Sequence, residues 1–314
     1  MKIATLTLNP ALDRTMYCFG VTPGALNRAV APSVTTVGGK GTNVSCVFKI
    51  FGIESTAYGF IGGNNGDLFL RLLEPYNIKT DFTRTKCETR MNIKIISSGG
   101  EPTEFNESGG PVESFEKEDI LKKIKSVMDD TDLFFMGGSA PLGIEKSIYK
   151  NIMELGGDRT KFILDCDGEA LRLCISNHKK PYIIKPNQFE LEQYCGKNFD
   201  LDNNFKLALG GIKEEIKKIY DQTGTTILCT LGGYGGLYCG KYGIFYVPAP
   251  KVEVRGFTGA GDTFLAAFIY YTQEGNNAQD SLAFAVAASA AKVTKPGTEF
   301  ASMSEILSMY EKIK

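Results

Sequence analysis

The chain has 314 residues, of which 43% are apolar and 23% charged, and its formal net charge is −1 at pH 7. That length suits one large α/β domain or two smaller ones with a full core, and the near-neutral charge supplies no long-range attraction to nucleic acid or an anionic membrane. A single histidine, His178, sits in the polar run Ser176 to Lys180 and reads as surface, which speaks against histidine triads and histidine-rich metal cages.

The eight cysteines show no Cys-x-x-Cys spacing and are expected as reduced thiols rather than disulfides or zinc ligands. Met1 to Leu8 reads directly as a strand, without the basic and apolar regions of a signal peptide, so a cytoplasmic protein is expected. The longest nearly apolar run, Leu282 to Ala291, is too short to span a bilayer.

After the first strand, Lys40 to Phe51 carries apolar residues at helical spacing and stops at Gly52. Ser55 to Ile61 reads as a strand, Gly66 to Tyr76 as an amphipathic helix, and Phe115 to Met128 as a helix feeding the strand Leu133 to Met136. Lys161 to Leu164, Pro181 to Ile184 and Thr226 to Thr230 are further short apolar strands with helices between them. The alternation predicts a doubly wound, mostly parallel sheet with helices on both faces. Asp13 to Val37 and Asp81 to Asn106 break it with short strands and turn residues. They are expected to form a small β lid on a single domain spanning residues 1–314, covering a site at the sheet's edge.

Several short segments carry chemistry. Gly38-Gly39-Lys40-Gly41-Thr42-Asn43 precedes a helix; it is neither a Walker A loop nor a dinucleotide fingerprint. It reads either as a bare backbone that lets a sugar approach while Lys40 and Asn43 supply donors, or as a flexible glycine turn with a solvated lysine. Asp13 lies past the first strand, where a carboxylate accepts from sugar hydroxyls or forms an Asx turn. Arg90, Asn92 and Lys94 alternate on one strand face and, with Arg28 and Lys40, make a basic cluster for a substrate phosphate, or else a solvated face.

Lys185 follows a strand, and Asn187 and Glu190 are spaced either to order a hydrated Mg²⁺ or to form a helix capping box. Thr230 to Gly236, with Gly232 and Gly235, offers amides to a nucleotide or a plain hairpin. Gly259-Ala260-Gly261-Asp262 opens a buried helix. There the amides suit an anion, and the carboxylate makes sense as a proton acceptor beside a phosphoryl group in transit.

Taken in order, these segments resemble the ribokinase (PfkB) family of carbohydrate kinases over nearly the whole chain. Thr7 to Thr15, the Asn27-Arg28 pair and Thr89 to Lys94 resemble the branch that includes 1-phosphofructokinase and tagatose-6-phosphate kinase, whose substrates already bear a phosphate. Ser139-Ala140-Pro141 and Arg255 to Thr258 depart from the commoner family segments.

The resemblance implies Asp262 as catalytic base, with the amides of Gly259, Ala260 and Gly261 as its anion hole. It places Asp13, Gly38, Gly39, Lys40, Asn43 and Asn92 on the sugar and Arg28, Arg90 and Lys94 on its phosphate. Lys185, Asn187, Thr230, Gly232 and Gly235 would serve the nucleotide, and Asn187 with Glu190 would hold Mg²⁺ through water. ATP is the expected co-substrate and fructose 1-phosphate the favoured acceptor, ahead of tagatose 6-phosphate and fructose 6-phosphate. A homodimer through the lid is allowed, and a non-catalytic sugar-phosphate sensor is the rival from another class.

Overall fold

The computed structural model describes residues 1–97, 103–166 and 168–314; residues 98–102 of the second expected lid segment lie outside them. In chain order the strands are β1 (Ile3–Thr7), β2 (Ala11–Cys18), β3 (Val34–Gly38), β4 (Thr56–Gly62), β5 (Lys79–Thr80), β6 (Thr83–Thr85) and β7 (Arg90–Ser97). They continue with β8 (Thr103–Asn106), β9 (Leu133–Gly137), β10 (Lys161–Asp165), β11 (Ile183–Ile184), β12 (Thr226–Thr230), β13 (Gly236–Gly240) and β14 (Gly243–Val247). The helices are α1 (Lys40–Ile50), α2 (Gly63–Leu73), α3 (Ser114–Met128), α4 (Ile148–Leu155), α5 (Gly168–Ser176), α6 (Gln188–Cys195), α7 (Phe205–Thr223), α8 (Ala260–Gln273), α9 (Ala278–Val293) and α10 (Met303–Tyr310).

The large sheet runs β14-β13-β12-β11-β10-β9-β1-β4-β5, with β6 beside β4. From β12 to β5 the pairings are parallel, and β13 and β14 add an antiparallel edge. Side-chain alternation explains the layers. In β9, Leu133 and Phe135 join one apolar cluster, Phe134 and Met136 the other, as a strand covered on both faces requires. Helices α1, α2, α8, α9 and α10 complete the first cluster and α3 to α7 the second.

Local sequence sets the element ends. Glu113 and Glu116 form a reciprocal capping box that starts α3, and Gly224, in the left-handed region, ends α7. Helix α2 begins three residues earlier than its periodicity predicts and passes into a 3₁₀ turn at Glu74–Tyr76, which contains Pro75.

A second sheet of four strands has the order β3-β2-β7-β8. Two expectations change here. Residues 19–33 form a loop tied to β2 by one bridge, Cys18 to Ala29, rather than successive strands. Thr83–Thr85 pairs with β4 in the large sheet, not with the small one. Register in the small sheet sets Asp13 beside Asn92 and Thr15 beside Lys94.

From β1 the chain steps outward to β4 and β5, then returns to the other side of β1 at β9. Such a reversal leaves a crevice at the strands' carboxyl ends, the usual ligand position in open α/β sheets. Helix α1 closes one wall of it. A Cβ on Gly41 would lie 2.7 Å from the Leu6 carbonyl oxygen, so only glycine lets α1 press onto β1. Gly41→Ala is expected to cost about 1–3 kcal/mol by overpacking, read as a lower urea midpoint at an unchanged m-value.

Candidate active site

The carboxyl ends of β1, β9, β10, β11 and β12 surround a cavity of about 440 Å³ lined by Asp13, Gly38, Gly39, Lys40, Asn43, Arg90, Asn92, Asp165, Lys185, Asn187, Glu190, Thr230, Gly259, Gly261 and Asp262. Of the sequence-predicted sugar, base and metal residues, the cavity omits Arg28, Lys94 and Ala260 from its wall. Lys94 lines a smaller space of about 260 Å³ that shares Asp13, Arg90, Asn92 and Thr258 with it.

At the floor lies a residue the sequence reading missed. Asp165 ends β10 with 1% of its side chain exposed and lies between two lysines, Lys40 Nζ at 2.6 Å and Lys185 Nζ at 2.9 Å. Burial works against its charge, yet Lys185 and Lys40 hold its carboxyl below the usual range. Lys40 also reaches Glu190 Oε1 at 3.4 Å. Burial opposes the Lys40 charge, but Asp165 and Glu190 outweigh it and raise its pKa. Lys40 lines the cavity, and its ammonium is already engaged there by two carboxylates. The signal was available, because Asp165 follows the predicted strand Lys161 to Leu164 just as Asp13 follows β1.

Asp262 lies in the first turn of α8 and is buried. Burial, with the nearby Asp165 charge, pushes its carboxyl up to about 6 against the pull of its Asn43 hydrogen bond, Lys185 and Lys40. Asn43 Nδ2 donates to Asp262 Oδ2 at 2.7 Å. Asn43 is fixed by α1, so the Asp262 carboxyl is oriented by a buried neighbour from the other end of the chain. Gly259 caps α8 at φ 84°, a conformation that favours glycine. The Ala260 N–H donates to the Phe257 carbonyl at 3.1 Å, and Ala260 lines the adjoining cleft with Gly261. Gly261 and Asp262 carry N–H groups that the helix itself leaves without acceptors.

Opposite this turn stands the small sheet. Asn92 Nδ2 donates to Asp13 Oδ1 at 2.8 Å. Burial raises the Asp13 carboxyl pKa, offset in part by Asn92, Lys94 and Arg90. Arg90 donates to the Asn9 carbonyl through Nε at 3.2 Å and Nη2 at 3.0 Å, and to the Glu107 carbonyl at 2.8 Å. Lys94 Nζ bonds Thr258 Oγ1 at 2.8 Å and pairs with Glu104 at 2.7 Å. It thereby links the small sheet to the residue before Gly259, and the solvated-face reading gives way. Arg28 is exposed on the loop 19–33 and joins no wall of the cavity, a correction to the expected cluster.

Asn187 and Glu190 form the capping box in full: Asn187 Oδ1 accepts from the Glu190 N–H and Glu190 Oε2 from the Asn187 N–H, both at 2.8 Å. Among the described residues no three His, Cys, Asp or Glu side chains gather as metal ligands. This donor set fits a hydrated Mg²⁺ touched through water, not a direct cage.

Beyond Asn187, Thr230 and Gly261 the cavity opens into a cleft of about 1210 Å³, also lined by Gly232, Gly235, Pro250, Val252, Phe257, Ala290 and Val293. Gly232–Tyr234 is a 3₁₀ turn between the antiparallel β12 and β13, so hairpin and cleft wall coincide. An apolar cleft meeting a polar cavity at a helix N-terminus suits a nucleotide facing a small polar acceptor.

The pattern of the pfkB family carbohydrate kinases matches residues 6–305. The chain belongs to this family. A 1-phosphofructokinase of Borreliella burgdorferi is 33% identical over 307 residues, covering 97% of this chain and 96% of that protein. A tagatose-6-phosphate kinase of Staphylococcus epidermidis is 32% identical over 265 residues, covering 84% and 83%. The crystal structure of phosphofructokinase-2 from Escherichia coli with substrates and products shares the fold, with TM-score 0.88, 24% identity and coverage of 100% and 99%.

The pfkB family places the chain among ATP-dependent phosphotransferases acting on a sugar hydroxyl. Among its described residues no helix is long and apolar enough to cross a membrane. Within this kinase, Asp165→Asn leaves two lysines facing a neutral amide and is expected to cost on the order of 3 kcal/mol, measured by urea unfolding.

Proposed function

We propose that the protein transfers the γ-phosphoryl group of ATP to fructose 1-phosphate, giving fructose 1,6-bisphosphate. The observation that carries this reading is the placement of Arg90, with Asp13 and Asn92, in the cavity that holds Asp262, and of Lys94 in the smaller space beside it. A neutral sugar brings no negative charge to these two cations, whereas a ketohexose phosphate can compete with Glu104 for Lys94. Several relatives near full length are 1-phosphofructokinases. Tagatose 6-phosphate is the second reading, supported by the tagatose-6-phosphate kinase relative; fructose 6-phosphate is third.

In this reading Asp13 and Asn92 accept and donate to sugar hydroxyls against the bare backbone of Gly38 and Gly39. Asn43 Oδ1, buried and without a hydrogen-bond partner among the described residues, offers a further acceptor. The attacking hydroxyl gives its proton to Asp262 as its oxygen bonds to phosphorus and the bond to the ADP oxygen breaks. The Gly261 and Asp262 amides face the charge that spreads over the moving phosphoryl group, and the Gly259 turn aims them. Lys185 approaches the nucleotide phosphates, and Thr230, Gly232 and Gly235 line the nucleotide. Mg²⁺, when bound, neutralises phosphate charge, and Asn187 with Glu190 would hold it through water.

The small sheet serves as a lid in this proposal, and its outer side is a candidate homodimer surface. Arg28 then has no role within one copy. A cytoplasmic location accords with the substrates. A non-catalytic sensor is disfavoured because Asp262, Gly261 and the Asn187–Glu190 pair line one cavity.

A coupled ADP-release assay across fructose 1-phosphate, tagatose 6-phosphate, fructose 6-phosphate and fructose tests the substrate. Fructose 1-phosphate is expected to give the highest kcat/KM, and preference for fructose would sink the basic-wall argument. Asp262→Asn should lower kcat by about 10²–10⁴. Burial disfavours the Asp262 charge, so its ionised form lowers stability as pH rises; Asp262→Asn should therefore melt no lower than wild type at neutral pH. Wild-type kcat should fall as pH drops through about 6, where Asp262 takes up its proton.

A further inference from the structure

Lys292 lies in the last turn of α9 with no exposed surface. A buried ammonium ordinarily pairs with a carboxylate, but among the described residues Lys292 makes no ion pair. Its Nζ donates to the Gly297 carbonyl at 2.8 Å. The charges that face it are Glu299, which favours the ammonium, and Lys94, which opposes it; burial dominates and lowers its pKa to about 8. A methionine would fill the same space without the desolvation cost, so packing gives no reason for the charge.

Its position does. A methyl group built on Gly259 would lie 3.6 Å from Lys292 Cε and 3.8 Å from Asn43 Nδ2, the group that holds Asp262. The Lys292 stem thus passes directly behind the turn that opens α8. The segment leading into that turn leans on the end of α9 and the loop after it. The Arg255 and Gly256 N–H groups donate to the Val293 carbonyl at 2.7 and 3.2 Å. A Cβ on Gly256 would meet the Lys295 carbonyl oxygen at 2.8 Å and Gly297 N at 3.0 Å.

We propose that Lys292 is a positioning residue of phosphoryl transfer: it clamps the loop 294–297 behind the Gly259 turn and gives that turn a buried positive charge. The charge acts through the amides and does not touch the reacting atoms. In a water-poor setting a fixed cation behind the amides favours the state in which negative charge has moved onto them. The inference rests on the kinase reading above.

The test uses the full chain with ATP and the sugar phosphate preferred in the ADP-release assay, and compares wild type with Lys292→Met and Lys292→Gln. Both variants are expected to melt at or above the wild-type temperature while kcat falls about 10- to 100-fold and the sugar-phosphate KM stays within about twofold. Wild-type kcat should fall as pH rises through about 8, as Lys292 loses its proton, and both variants should lack that step. Lys292→Gln keeps a donor for Gly297, so its expected loss ties the effect to charge; it also decides the matter if the methionine variant fails to fold. Turnover within twofold of wild type in a folded variant, or a loss that merely follows a lower melting temperature, overturns the proposal. Absence of ATP consumption by wild type with every ketose phosphate refutes the kinase reading instead, and is seen before any substitution is made.

Discussion

The site depends on one buried carboxylate shared by two lysines. Asp165 draws together Lys40 from the start of α1 and Lys185 from the end of β11, and these elements carry two walls of the cavity. Taking three charges out of water is costly, and it is offset only when each charge finds its partner at close range. The triad therefore exists only in the assembled fold, and it fixes the spacing of the walls.

The triad also sets the electrostatics of Asp262. Counting Glu190 and Asp262 with it, two ammonium groups face three carboxylates, a formal excess of negative charge before any phosphate arrives. Asp262 is the member held least firmly as an anion, because burial and Asp165 act against it while its help comes from one amide and two shared lysines. A carboxyl raised to about 6 is a stronger base than an ordinary aspartate and remains largely ionised at neutral pH, the compromise that general-base catalysis requires.

The large sheet was legible because its parallel strands read as short apolar runs between amphipathic helices, a pattern with few other solutions. The Gly259–Asp262 turn was legible because glycines, acid and buried helix agree locally. What failed to show was pairing across long separations. Extended character at Thr83–Thr85 says nothing of whether β4 or β7 receives it. The positive charge of Arg28 says nothing of where an exposed loop carries it. Lys40 looked free because its partners stand 125 and 150 residues later. Asp165 was the avoidable omission: the predicted strand stopped one residue short of it, although the rule that selected Asp13 applied equally.

In the proposed reading, selectivity for a phosphorylated sugar follows from how Lys94 is held. Its ammonium bonds Thr258, beside the base turn, and Glu104, its antiparallel neighbour in the small sheet. Glu104 is partly exposed, so a phosphate that enters competes with one solvated carboxylate, while the Thr258 bond can persist. A dianionic phosphate repels Glu104 and attracts Lys94 and Arg90, whereas a neutral hydroxyl does neither. Arg90 has most of its N–H groups committed to the Asn9 and Glu107 carbonyls, so it contributes field and a fixed loop geometry more than a full bidentate grip. Discrimination then arises from exchanging one carboxylate for a more highly charged anion at Lys94, and the same exchange acts on the strand that Thr258 ties to the catalytic turn.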